Sequence, residues 1–248
     1  MFSNRYIFIY SSVMVIIVAV VLSLTAILLQ PRQEKNLTIA KIQGILAALN
    51  VTATPEDAEE LYAQYVSTEL AVDQDGQVVS IYQDGTLEKG DIRPFMIDLK
   101  KALYSKKMKE PFVVPLYIAE NKGDTFYIVP MRGTGLWGPV YGNIAFTSNF
   151  NEIAGAFFTH DKETPGLGAE ISTSEFSSQF IGKKIFNDAG DFVSVKVVKG
   201  GIAMMAPDQR IHGVDAISGG TITSNAVSAM LKNCLENYLV YIHNNIKQ

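Results

Sequence analysis

The segment Asp215-Ala216-Ile217-Ser218-Gly219-Gly220-Thr221-Ile222-Thr223-Ser224 sets two glycines among four hydroxyl side chains, directly ahead of an amphipathic stretch. Beyond Ser224 the apolar positions Val227, Met230, Leu231, Cys234, Leu235, Tyr238 and Ile242 advance in steps of three and four, which predicts one buried helix face. A glycine turn entering a helix leaves backbone N–H groups unpaired at the positive end of the helix dipole. That is a place suited to a phosphate, with the Thr221 hydroxyl positioned to touch it or be bonded to it. Thr223 or Ser224 is expected to cap the helix through its hydroxyl. The same string also reads as ordinary loop and cap chemistry. The spacing does not say whether a phosphate is covalent, or what it belongs to.

Two further segments carry chemistry. Gly133-Thr134-Gly135-Leu136-Trp137-Gly138-Pro139 holds the only Trp between glycines that let the backbone bend tightly. It reads either as a core plug beside a turn or as a contact for a planar ring. In His160-Asp161-Lys162-Glu163-Thr164-Pro165-Gly166-Leu167-Gly168, Pro165 fixes one dihedral and Gly166 permits the next, as in a type II turn. Glu163 and Thr164 are then hydrogen-bonding groups held by that turn, and on its own the segment also reads as a surface loop.

Composition narrows the classes. The chain has 248 residues, 48% of them hydrophobic, and a net charge of −4, with no basic stripe that would suit nucleic acid. A single cysteine, Cys234, excludes an internal disulfide framework and any all-cysteine metal cluster held by this chain alone. Its place on the apolar stripe predicts a small core residue. His160, His212 and His243 lack ligand-like spacing, so no metal site is expected.

The elements that must position these groups follow from the pattern. Tyr6 to Leu29 carries no charge, is preceded by Arg5 and is expected to end at Gln30-Pro31-Arg32. It is too long for a signal-peptide core and lacks a small-x-small cleavage site, so it predicts a retained membrane helix. Arg32, Lys35 and Lys41 beyond it would, counted naively, place the C-terminal bulk in the cytoplasm. Ile39, Ile42, Ile45, Leu46 and Leu49 form a helical stripe from about Lys35 to Asn50. Thr54-Pro55-Glu56-Asp57 starts a helix expected to reach about Ser67. Leu70 to Tyr82 around Asp75-Gly76 reads as a hairpin, and Asp98 to Lys107 as a helix with a solvated lysine face. From Pro111 strands dominate: Phe112 to Ala119, Thr125 to Pro130, Val140 to Thr147 and Ile153 to Thr159. Val193 to Val198 and Ile202 to Ala206 flank Lys199-Gly200-Gly201 as another tight connection. The expected fold class is α+β: one transmembrane helix, then a mostly antiparallel sheet domain with flanking helices. The expected division is an anchor over 1–30, a helical and hairpin membrane-proximal region over 31–110, and the main domain over 111–248.

Taken in order after one membrane helix, Gly-Leu-Trp-x-x-x-Tyr-Gly from Gly135, Glu-Thr-Pro-Gly-Leu-Gly from Glu163 and Ser-Gly-x-Thr-x-Thr-Ser from Ser218 resemble the C-subunit family of sodium-translocating NADH:quinone oxidoreductases. The related G-subunit family of Rnf electron-transport complexes shares the last two motifs. The resemblance covers the anchor and most of 111–230, and is weaker over 31–110 and the last fifteen residues. It implies an FMN joined through its phosphate to a threonine. The family's attachment pattern falls on Asp215, Ser218, Gly219, Gly220 and Thr221, so Thr221 would carry the FMN, with Gly220 standing where alanine is usual. Thr223 is then a neighbouring hydroxyl of the same cofactor-binding loop. Glu163, Thr164, Leu167, Leu136 and Trp137 fall where the family lines its flavin. A polar-ended helix, Glu236 to Gln248, replaces the aromatic, Gly/Pro-rich tail of many relatives.

The resemblance further implies an electron-carrying member of an inner-membrane sodium pump that oxidises NADH and reduces ubiquinone. Electrons would arrive from an iron–sulfur centre in partner membrane subunits and pass to a second covalent FMN on the pump's other flavin subunit. A flavin transferase would mature the chain. The flavin domain would lie on the periplasmic side with Arg5 inside, against the naive charge count. The alternatives are the equivalent Rnf subunit, a membrane-tethered module holding a phospholigand noncovalently, and a periplasmic scaffold without cofactor.

Overall fold

A long, mostly apolar run without charge or glycine favours helix, and the N-terminal stretch takes that form throughout. A computed structural model describes residues 3–246; the first two residues of the expected anchor and the last two of the expected C-terminal helix lie outside them. Helix α1 runs Asn4–Ala48. The chain divides into two compact units, Met1–Lys41 and Ile42–Gln248.

In the first unit, the apolar side chains of Tyr6 to Leu29 are exposed, and an 18-residue window reaches a mean hydropathy of 2.9. At 1.5 Å per residue this run spans about 36 Å, enough for a hydrocarbon core, which makes it a candidate membrane anchor. The charge-free run ends at Gln30-Pro31-Arg32, but the helix does not: Pro31 lies inside α1, which joins that run to the stripe of Ile39, Ile42, Ile45 and Leu46. Its fixed φ suits a helix, and the cost is one lost backbone bond between strong helical neighbours.

The second unit is built on a seven-stranded sheet of order β3-β2-β1-β4-β5-β6-β7. The strands are β1 Val66–Asp73, β2 Val78–Gln83, β3 Thr86–Lys89, β4 Val113–Asn121, β5 Asp124–Thr134, β6 Pro139–Phe146 and β7 Ile153–His160. Every neighbouring pair is antiparallel. Because β1 pairs with β4, the sheet crosses residue 110 and joins 66–89 to the strands that follow. Val114, Leu116, Tyr117 and Ala119 of β4 are all buried, so both faces of this central strand are covered and its sequence reads as an apolar run rather than an alternation.

The helices between these strands form where caps allow. Thr54 and Asp57 exchange hydrogen bonds, Thr54 N–H to Asp57 Oδ1 at 2.6 Å and Asp57 N–H to Thr54 Oγ1 at 3.4 Å. Helix α2, Ala58–Tyr65, follows and stops short of the expected Ser67, because Val66 and Ser67 enter β1. Helix α3, Leu99–Met108, is capped by Asp98 Oδ1, which accepts from Lys100 N–H at 2.8 Å and Lys101 N–H at 3.3 Å. Past β7 comes a short α4, Ser174–Ser178.

The expected strand pair around Lys199-Gly200-Gly201 is corrected. Strand β8, Lys196–Val198, pairs in parallel with β9, Gly213–Asp215, while Ile202–Met204 is a 3-10 turn. Two glycines at φ +83° and +89° swing the chain out, and Asp215 Oδ1 holds the exit by accepting from Ile202 N–H at 2.6 Å.

Helix α5, Thr221–Leu235, packs on β5 and buries the predicted stripe through Leu235. The tail is not one helix: a 3-10 turn, Glu236–Tyr238, precedes α6, Leu239–Asn245. Tyr238 and Ile242 are buried all the same, and Tyr238 Oη donates to the Pro115 carbonyl at 2.7 Å. This break keeps the stripe on the core while the chain changes direction. On the sheet, Gly155 of β7 comes so close to the Ala48 carbonyl at the end of α1 that a Cβ would not fit.

Candidate functional site

Three chain segments that end or begin regular elements converge. After β5 the chain turns tightly, with Gly135 N–H donating to the Gly138 carbonyl at 2.8 Å, and returns as β6. After β7, the Glu163 N–H donates to His160 Nδ1 at 3.2 Å and the Thr164 carbonyl accepts from Leu167 and Ala169, each at 3.1 Å. Gly166 in that turn has φ +75°, and its N–H donates to Glu170 Oε1 at 2.9 Å. After β9, Gly219 turns at φ +74°, Gly220 N–H reaches the Ile217 carbonyl at 3.1 Å, and α5 begins at Thr221.

One carboxylate ties the three together. Glu163, 4% exposed, accepts from Trp137 N–H through Oε1 at 2.9 Å and from the Thr223 hydroxyl through Oε2. A Cβ at Gly135 would lie 2.6 Å from Glu163 Oε1, and one at Gly168 would lie 2.6 Å from Oε2, so both segments approach this carboxylate with bare backbone. Burial pushes the Glu163 carboxyl up, but the Thr223 hydroxyl and the N–H groups of Trp137, Gly138 and Leu136 outweigh it and hold the group below its ordinary value.

The expected hydroxyl cap of α5 is corrected. The helix starts earlier, its cap position being Gly220, without a side-chain cap. Thr223 points its hydroxyl at Glu163, and Ser224 Oγ accepts from Ile217 N–H at 3.2 Å, folding the preceding loop back onto the first turn. Ser224 N–H makes the first helical bond, to the Gly220 carbonyl at 2.8 Å. The N–H groups of Thr221, Ile222 and Thr223 have no acceptor among the described residues.

Beside this free helix end lies a cavity of about 250 Å³. It brings together Gly219, Gly220, Thr221, Thr223, Leu136, Glu163, Thr164 and Leu167, all expected from the sequence. Ser218 and Trp137 are not on its wall. Ser218 is exposed in the loop, and Trp137, 64% exposed, is on the surface rather than plugging the core. Asp215 is not on the wall either; its carboxylate accepts from Ile202 N–H at 2.6 Å. Two wall residues escaped the sequence reading, Gly168 and Ile222. Gly168 was legible only as the last letter of its motif, whereas Ile222 could have been found as an apolar residue off the buried stripe.

The wall suits a phosphorylated planar cofactor. Unpaired N–H groups and the positive helix end can receive a phosphate. Leu136, Leu167 and Ile222, 49%, 43% and 55% exposed, offer apolar surface to a ring. Thr221 is half-buried at the helix start, and its hydroxyl makes no hydrogen bond among the described residues. The thiol of Cys234 has no part in this: it is 2% exposed beside the Arg132 carbonyl, and burial pushes it up to about 11.

The FMN-binding domain family matches residues 135–236, a span that opens at the Gly135 turn and closes after α5. The chain is 31% identical over 221 residues to the C subunit of the Na(+)-translocating NADH-quinone reductase of Vibrio vulnificus strain YJ016, covering 86% of this chain and 83% of that one. It is 31% identical over 216 residues to the identically named chain of Pseudomonas aeruginosa, covering 83% and 81%. The crystal structure of the corresponding chain from Parabacteroides distasonis superposes with a TM-score of 0.73 at 37% identity, over 89% of this chain and 98% of that one. Shewanella oneidensis NqrC, at 24% identity and a TM-score of 0.63, shares the fold.

Proposed function

Given that this chain belongs to the C-subunit family of the Na(+)-translocating NADH-quinone reductase, we propose that it carries FMN as a phosphoester on Thr221 and relays electrons within that membrane complex. The observation that carries the reading is the division of labour in the first turn of α5. Thr223 is 2% exposed with its hydroxyl given to Glu163, and Ser224 is 1% exposed with its oxygen on Ile217 N–H. Thr221 keeps a reachable hydroxyl beside the free N–H groups. A phosphodiester retains one negative charge after attachment, which those N–H groups and the helix dipole favour.

Bound FMN supplies the one- and two-electron chemistry; the protein supplies no acid, base or nucleophile to the redox step. Gly219 and Gly220 let the backbone reach the phosphate. Leu136, Leu167 and Ile222 shield the ring from water. Glu163 fixes the Leu136 turn to α5, and its charge is satisfied by donors on the protein side. The family supports electron entry from an iron–sulfur centre in partner subunits and exit to a second flavin, with the domain on the periplasmic face and α1 in the inner membrane.

The test is Thr221→Val in chain matured beside its flavin transferase. The expected result is complete loss of the ultraviolet-excited fluorescent band after boiling in detergent, with intact mass equal to the bare polypeptide and the fold retained. A fluorescent band that persists, or an adduct mapped to Thr223, overturns the assignment. A wild-type band that loses its fluorescence on boiling would instead support a noncovalent phospholigand site.

A further inference from the structure

A second cleft, of about 750 Å³, opens between α3 and the C-terminal part of β5. Lys100, Lys101, Lys107 and Arg132 line it against a single carboxylate, Asp98. That carboxylate is already committed to the backbone N–H groups that begin α3. None of the four cations forms an ion pair among the described residues; the Arg132 guanidinium lies over the Tyr141 ring, 5.9 Å from its centroid. In a chain of net charge −4 this is a strong local reversal of sign.

The cleft is not merely charged. Leu103 and Tyr104 form apolar wall, and Tyr104 is 62% exposed. A lone phosphate would leave that wall and most of the volume unused. Its floor, Arg132 to Thr134, continues along the chain into Leu136 and Trp137, which are 49% and 64% exposed beside the flavin cavity. Exposed Trp and Tyr next to Arg and a cationic rim is the composition of a protein interface. Cationic rims steer acidic partners and fix their register. We infer that this cleft receives an acidic polypeptide segment of another subunit, docking it beside the flavin edge.

The inference rests on the reading of the chain as a member of the complex, and gel fluorescence of the flavin reports the attachment reading separately. The test uses the whole complex purified from its host. A benzophenone side chain replacing Lys101 is expected to cross-link, on irradiation, to an Asp/Glu-bearing peptide of a neighbouring subunit. Adding Lys100→Glu and Lys107→Glu is expected to cut that product about tenfold, the scale for inverting several steering charges. Without the benzophenone, Lys100→Glu with Lys101→Glu and Lys107→Glu is expected to release the chain from the complex at moderate salt while the fluorescent flavin band stays at wild-type intensity. Replacing the cross-linked acidic residues by lysine should restore retention. Cross-linking to phospholipid alone, no product at all, unchanged retention of the triple variant, or loss of the flavin band with it would each overturn the docking assignment.

Discussion

Among its described residues the domain buries two carboxylate side chains and satisfies them in opposite ways. Glu69, 2% exposed on β1, is held by a cation: Arg93 Nε lies 3.0 Å from each of its oxygens, with Tyr62 Oη donating at 3.0 Å and Phe95 N–H at 3.1 Å. The Arg93 guanidinium in turn lies 4.2 Å from the Tyr82 ring centroid. Glu163, 4% exposed, has only neutral donors, the Thr223 hydroxyl and backbone N–H groups. The first arrangement is a closed structural clamp, because ion and counter-ion cancel inside it. The second puts neutral donors, not a full cation, on the carboxylate beside the helix end that we propose receives a phosphate. The difference shows how one chain uses the same side chain once to hold a sheet to its flanking helix and once to shape a site.

The largest effect that would sharpen this contrast is expected at the cationic clamp. Arg93→Ala leaves Glu69 buried without its counter-ion and should cost about 3–5 kcal/mol in urea unfolding. A cost under about 1 kcal/mol would mean that Tyr62 and Phe95 suffice, and the two carboxylates would not differ in kind. Glu163→Gln should cost less, about 1–2 kcal/mol, because the amide oxygen still accepts from backbone N–H groups, the Thr223 hydroxyl can turn to accept from the amide, and no charge is stranded. Its flavin should attach but sit less rigidly, read as increased fluorescence depolarisation.

The neutral-donor site also predicts a pH signature. Glu163 is held below its ordinary value of 4.5, so its contribution is fully present above that value and is lost as pH falls through the lower, folded-state value. Urea midpoints measured from about pH 6 down to about pH 3 should therefore fall more steeply for wild type than for Glu163→Gln; parallel curves would remove the ionised carboxylate from the account. The smallest effect is expected for Gly220→Ala, the residue usual in the family. The new Cβ would meet Ile217 Cγ2 at 3.1 Å and Cβ at 3.2 Å, so the Ile217 loop must give by a few tenths of an ångström. Stability should change by no more than about 0.5–1 kcal/mol, with attachment intact by gel fluorescence.

The features legible in the sequence were those set by local pattern. The stripe from Val227 to Ile242, the helix after Asp98, the hairpin at Asp75-Gly76 and the long strands β4 to β7 each follow from periodicity or turn chemistry, and the structure has them. What was not legible depends on distant partners. Glu163 sits in a segment that reads as a surface loop, and only Thr223, sixty positions on, makes it a buried tie. The three-residue strands β8 and β9 pair in parallel across a long excursion, which no local glycine turn announces. Of the site, eight of the ten expected residues line the cavity, because the three motifs mark backbone turns. Ser218 and Trp137 share those turns but project elsewhere.

The chain's one sulfhydryl has a practical corollary. Sealed at 2% exposure under α5, Cys234 should ignore maleimides and methanethiosulfonates as long as the domain stays folded. The native sequence thus behaves toward such reagents as a cysteine-free background. A cysteine engineered at Lys101 or near Leu136 would accept a spin label or dye alone, opening both flanks of the proposed cofactor pocket to distance spectroscopy without first rewriting the interior.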